Sequence, residues 1–172
     1  MADFTAGIVC LGQQTIFQDA STLANGAITS WNWNFGDTFT STLQHPTHKF
    51  SDTMSYVVKL TVTMDDGCAA PIAKVVKVYP SPKPTFVVTN ACEQSVAQFT
   101  ATAAATGYPV TQWNWNFGEP SSGAANISTL KNPVHKFATA GTYKVRLIAT
   151  NVLGCIDTII NDVIIKPVPV AD

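Results

Sequence analysis

The sequence predicts an all-β protein: two tandem immunoglobulin-like β-sandwich domains of about seven strands each. Three observations carry that prediction. The hexapeptide Trp-Asn-Trp-Asn-Phe-Gly stands twice in the 172-residue chain, at residues 31–36 and 113–118. Six identical residues, two of them tryptophan, mark one module written twice. Around both copies apolar and polar residues alternate, as they do on strands whose successive side chains face opposite ways. Short strand-like runs follow one another with turn signals between them, roughly every eight to twelve residues, which is the spacing of a sandwich.

The elements can be justified in chain order. The runs 15–18 and 96–100 supply an early strand in each copy. Trp31, Trp33 and Phe35 lie two apart with Asn32 and Asn34 between them, so the aromatics share one face of a strand; Trp113, Trp115 and Phe117 do the same. The runs 56–63 and 143–150 are rich in β-branched residues and alternate in the same way. Asp65-Asp66-Gly67 and the segment 151–154 are hairpin signals, and the runs 74–79 and 162–166 follow them. The tryptophan strand is then the third of each sandwich, and Tyr56 and Tyr143 open the sixth. Phe4, Cys10 and Trp31 match Phe86, Cys92 and Trp113 at a spacing of 82, whereas His48, Phe50, Tyr56 and Cys68 match His135, Phe137, Tyr143 and Cys155 at 87. The second copy therefore holds five extra residues, which fall within 119–130 and read as an enlarged surface loop. Three prolines in residues 80–84 mark a semi-rigid connector, placing the domains at 1–82 and 83–172.

Composition narrows the function. Hydrophobic residues make up 46% and charged residues 12%, the balance of a chain that buries a core. A net charge of −1 with no basic cluster argues against nucleic-acid binding. The apolar runs are too short to cross a bilayer as helices, and no basic start precedes an apolar stretch, so neither membrane insertion nor a secretory leader is expected within this segment. Nucleophile elbows, zinc-protease helix motifs and phosphate-cradling glycine loops do not occur in it, and an enzyme is not expected.

Three motifs recur in order in both copies. In the first they are Trp33-Asn34-Phe35-Gly36-Asp37, His45-Pro46-Thr47-His48-Lys49-Phe50 and Ser55-Tyr56-Val57-Val58-Lys59-Leu60. In the second they are Trp115-Asn116-Phe117-Gly118-Glu119, Asn132-Pro133-Val134-His135-Lys136-Phe137 and Gly141-Thr142-Tyr143-Lys144-Val145-Arg146-Leu147. By these motifs the chain resembles the polycystic kidney disease (PKD) domain family. The family's Asp-Gly after Phe-Gly is replaced by Asp37-Thr38 and Glu119-Pro120. One cysteine pair per repeat resembles the versions found in large surface proteins of Bacteroidetes. The resemblance implies non-catalytic modules, extracellular or on the cell surface, acting as spacers, in adhesion, or beside secreted proteases and polysaccharide-degrading enzymes. Partners outside the cell would be proteins or polysaccharides.

Trp33, Phe35, Tyr56, Trp115, Phe117 and Tyr143 are the expected core signature. Trp31 and Trp113, nearer the strand start, are rim candidates, and with Phe39 and Tyr108 they form the set of surface aromatics on which a carbohydrate-binding alternative would depend. His48 and His135 recur without a second histidine at ligand spacing, since His45 becomes Asn132; they read as hydrogen-bonding residues. Asp37, Asp52, Asp65 and Asp66 do not form a calcium-loop pattern and read as turn residues, so no cofactor is expected and calcium has no motif behind it. Asn126-Ile127-Ser128 matches a glycosylation sequon, and Asp52-Thr53 and Asp157-Thr158 match a short O-glycosylation pattern.

Four cysteines, one pair per copy in an extracellular family, point to disulfides. Pairing Cys10 with Cys68 and Cys92 with Cys155 gives each module its own bond and is the expectation. Strict strand order sets the two members of each pair at opposite ends of a sandwich, beyond bridging distance. Cys10 with Cys155, or four free thiols, are the alternatives. For function, a spacer, adhesion or interaction segment of a larger protein is expected; the alternatives are a carbohydrate-binding accessory and a self-associating surface-layer or filament segment.

Overall fold

The computed structural model describes residues 1–104 and 106–168; residues 169–172, the end of the expected second domain, lie outside the described residues. The chain divides into two compact units, Met1–Pro80 and Ser81–Asp172. Each is a two-sheet β-sandwich, and the prediction of two all-β tandem domains is met.

The first unit holds β1 (Phe4–Ala6), β2 (Val9–Cys10), β3 (Thr15–Asp19), β4 (Ile28–Asn34), β5 (Thr40–Ser41), β6 (Thr47–His48), β7 (Ser55–Met64) and β8 (Ala69–Tyr79). One sheet has the order β1-β3-β6 and the other β2-β8-β7-β4-β5. The second unit holds β9 (Pro84–Thr89), β10 (Val96–Ala103), β11 (Val110–Asn116), β12 (Ile127–Ser128), β13 (Val134–Lys136), β14 (Gly141–Asn151) and β15 (Ile156–Ile165). Its sheets are β13-β10-β9 and β12-β11-β14-β15. The enlarged loop of the second copy folds into a 3-10 segment, Pro120–Asn126, before β12.

Period-two patterning decides which side chains go inward. On β7, Tyr56, Val58, Leu60 and Val62 are buried, and on β14, Val145, Leu147 and Ala149. The tryptophan strands pair with these in matching register, Trp33 against Leu60 and Trp115 against Leu147. β8 and β15 start earlier than the sequence suggests. Pro71 sits inside β8 opposite Thr61, a place open to proline because β2 pairs with β8 only at Val78 and Tyr79, leaving that stretch as a sheet edge.

The interior is duplicated ring by ring. Phe4 meets the edge of Trp33 at 5.2 Å and Phe86 that of Trp115 at 5.1 Å. His48 stacks on Phe35 at 4.2 Å and His135 on Phe117 at 4.3 Å. Phe50 and Phe137 then meet Tyr56 and Tyr143, each at 4.4 Å. Edge-to-face and offset contacts of this kind add to the area the rings bury.

The expected within-module disulfides do not form. Cys68 and Cys92 are free thiols, whereas Cys10 and Cys155 are each disulfide-bonded. The reason lies in strand length. Cys68 precedes β8 and Cys10 pairs with Tyr79 at its other end, so eleven residues of strand separate them. At about 3.3 Å per residue that is roughly 36 Å, several times the span of a disulfide. Cys155 precedes β15 and Cys92 bridges to Lys166 just beyond its far end, which forbids the second pair in the same way.

Candidate functional site

Each residue of the doubled hexapeptide has a separate task. Trp33 and Trp115 are buried, and each indole N–H donates to a carbonyl of the following loop, Leu43 or Leu130, at 2.9 Å. Phe35 and Phe117 are buried beside them. Asn34 and Asn116 accept from the backbone N–H of Gly36 and Gly118 at 2.8 and 2.9 Å, closing a side-chain turn. Both glycines have a left-handed backbone, φ 82° and 74°, and a Cβ there would meet the carbonyl oxygen of Val57 at 2.9 Å or of Lys144 at 2.6 Å. Tyr56 is buried; Tyr143 is half-buried on the second core and its hydroxyl donates to the Thr139 carbonyl at 2.9 Å.

The residue after each glycine locks the repeated histidine. Asp37 Oδ2 lies 2.7 Å from His48 Nε2, and Glu119 Oε2 lies 2.9 Å from His135 Nε2. Glu119 Oε1 also accepts from the Ala138 backbone N–H at 2.9 Å. The sequence points to hydrogen-bonding histidines but not to their partners. The signal was present: an acid recurs at a spacing of 82 just as the histidine recurs at 87. Among the described residues no cluster of three or more His, Cys, Asp or Glu side chains is arranged to hold a metal ion. Asp65 accepts from the Ala27 N–H and Asp66 from the Cys68 N–H, both as turn residues.

The rim aromatics are placed differently in the two modules. Phe39 is 63% exposed beside His48. Trp31 is half-buried against the first core, and its indole N–H donates to Asp19 Oδ2 at 2.7 Å. Gln44 Nε2 donates to the same oxygen at 3.3 Å, and the Ser21 N–H to Oδ1 at 3.0 Å. Burial pushes the Asp19 carboxyl up, but the hydrogen bonds from Ser21, Trp31 and Gln44 outweigh it and hold the group below the ordinary carboxylate value. Trp113 is half-buried against the second core, with the Lys131 ammonium 5.9 Å from its ring centre. It shares a groove of about 510 Å3 with Tyr108, Thr106, Pro109 and Lys131. Two of the four candidate surface aromatics are thus brought together, and Trp31 and Phe39 belong to the other module.

The fold and this repeated signature define a pair of immunoglobulin-like modules. The PKD domain family model matches residues 1–79 and again 77–165, and the chain belongs to that family as two tandem PKD domains. A microbial collagenase of Vibrio alginolyticus is 43% identical over 56 residues, which are 33% of this chain and 7% of the collagenase. Collagenase ColA of Bacillus cereus is 43% identical over 49 residues, 28% of this chain and 5% of that protein. The chain thus spans less than a tenth of the length of either relative. Among solved structures, the PKD1 domain of the Vibrio cholerae metalloprotease PrtV is 35% identical, covering 45% of this chain and 93% of that domain, with a TM-score of 0.42.

Proposed function

We propose that this chain is a non-catalytic pair of accessory modules, working outside the cell as a spacer and protein-interaction segment of a larger secreted or surface protein. The observation that carries the reading is duplication down to single contacts. Each copy has its own core, its own capped tryptophan and its own histidine–acid lock, so each has what a free-standing module needs. PKD domains are typically accessory modules without catalysis of their own, and the matched collagenases are enzymes in which such a segment is a small fraction of the length. The disulfide-bonded state of Cys10 and Cys155 supports an oxidising compartment. The module boundary belongs in the proline-rich connector, between residues 82 and 83.

Co-sedimentation of the purified chain with insoluble collagen, chitin and cellulose tests the reading, with light scattering across concentration run in parallel. A spacer stays in the supernatant of all three as a monomer, and retention on collagen alone supports the protein-interaction role. Retention on chitin or cellulose replaces it with a carbohydrate-binding role, and concentration-dependent growth in mass replaces it with self-association.

A further inference from the structure

The two rims differ by one missing carboxylate. Register identifies the counterparts without ambiguity: Phe4 pairs with Asp19 in the first module, and Phe86 pairs with Ala101 in the second. The Asp19 N–H meets His45, and the Ala101 N–H meets Asn132, at matched repeat positions. Asp19 of the first module is therefore Ala101 of the second, and Gln44 is Lys131. The acid is gone, and with it the Ser21 hydroxyl, whose counterpart is Ala103; the indole and the residue-44 donor remain, and the latter has gained a charge. Trp113 keeps the indole N–H that Trp31 gives to Asp19, and it makes no hydrogen bond among the described residues. Lys131 makes no ion pair among them either; its ammonium lies over the Trp113 ring. In the same groove the Thr106 hydroxyl oxygen is buried with no hydrogen-bond partner among the described residues. A buried polar atom left without a partner is uncommon and marks a place where a ligand group can complete the set.

The geometry points to this groove as a binding site for an acidic peptide, which inserts an aspartate or glutamate side chain between Trp113 Nε1 and Lys131 Nζ. The first module supplies the template, since there an aspartate side chain already accepts from the equivalent indole and from residue 44. A carboxylate held by an ammonium and an indole N–H gains from charge assistance that the neutral Gln44 does not offer. Tyr108 and Pro109 line the same groove and offer apolar wall to the rest of the peptide. This site rests on the protein-interaction part of the proposed function and gives it a chemistry; its failure would leave the spacer part standing.

The test is a titration of the whole 15N-labelled chain, following the tryptophan indole N–H resonances, with that of Trp113 assigned by Trp113→Phe. The probes are a capped pentapeptide with one central aspartate, the same peptide with asparagine, and trigalacturonate, all at matched ionic strength. The aspartate peptide is expected to move the Trp113 resonance saturably while the Trp31 resonance stays in place, and the asparagine peptide to leave both unmoved. Lys131→Gln should weaken binding about tenfold, the loss of one charge-assisted contact. Ala101→Asp installs the first module's acid and should abolish the response. Ala101 is buried, so if that variant fails to fold, Lys131→Gln decides, with its retained amide dispersion showing that it is folded. An unmoved Trp113 resonance, an equal response to the asparagine peptide, or full affinity in Lys131→Gln overturns the site. A response to trigalacturonate equal to or larger than that to the peptide overturns the assignment to a peptide.

Discussion

His135 and Glu119 keep 2% and 5% of their side-chain surface, whereas their counterparts His48 and Asp37 keep 10% and 14%. The two locks use the same ring stack and nearly the same distance, yet the second is the drier. Glu119 is one methylene longer than Asp37, and both of its oxygens are engaged, one by His135 and one by the Ala138 N–H. The 3-10 segment that follows it contributes Asn126, whose side chain accepts from the Glu119 N–H at 2.8 Å. At the rim the order is reversed. The first module satisfies its outer tryptophan with Asp19, and the second leaves the corresponding indole without an acid. The comparison teaches that duplication has kept the interior nearly identical while the loops and rim have diverged. A core position is constrained by many neighbours at once, but a rim position by one or two.

The sharpest way to break the comparison is to remove the lock acid from each module. Glu119→Ala leaves a buried histidine and the Ala138 N–H without their partner and should cost about 3–5 kcal/mol, the penalty for breaking a fully buried pair. Asp37→Ala should cost distinctly less, about 1–3 kcal/mol, because water reaches its histidine. Urea unfolding of the two variants measures both. Equal losses would remove the distinction between the dry and the wetter lock.

The glycines come next. Gly118→Ala and Gly36→Ala each force a Cβ into a carbonyl oxygen and a side chain into left-handed backbone. A loss of about 1–3 kcal/mol is expected, larger for Gly118 because its contact is the shorter. A thermal unfolding scan that ranks Gly36→Ala as the more damaging would contradict the order.

Acid titration separates the rims more gently. Asp19 is held below its ordinary value in the folded state, so its contribution is fully present above about pH 4, the value in an unfolded chain. It is lost as pH falls through the lower folded value. The first module therefore has an acid-sensitive contribution for which the second, with Ala101, has no counterpart. Asp19→Asn should flatten that part of the profile, and unfolding of the variant and parent chains between pH 2 and 5 would show it. An unchanged profile would mean that the Trp31–Asp19 contact is energetically idle.

The smallest effect is kinetic. Cys68 and Cys92 should react with an alkylating reagent in the folded, non-reduced chain, and Cys10 and Cys155 should not. Cys68 is exposed, yet a hydrogen bond to Asp66, with the charge of that group and some burial, raises its thiol above the ordinary value. The thiolate is the reactive form, so Cys68 should label slowly for an exposed thiol, and Asp66→Asn should speed it. Mass spectrometry of timed digests reads both outcomes.

Much of this was legible in the residues. A period of two, a repeated tryptophan strand and glycine-bearing turns are local signals, and each sandwich is built from strands whose side-chain alternation is written directly in the chain. The histidine–acid lock was half legible: both members recur, but they belong to different elements and only folding shows that they meet. The cysteines misled because equal numbers per repeat suggested equal pairing, while the length of β8 and β15 carries the partners apart. Asp19 and Lys131 gave no signal, since one is replaced by alanine and the other by a neutral residue in the opposite copy.

By itself the sequence determined the class of fold, the two-module organisation, the family and the face of each strand that goes inward, because hydrophobic periodicity and turn chemistry act over a few residues. Only the tertiary structure decided which acid meets which histidine, which thiols stay free and which outer tryptophan has an acid at its indole. Those outcomes depend on strand register and on distances between residues tens of positions apart, and no local pattern encodes them.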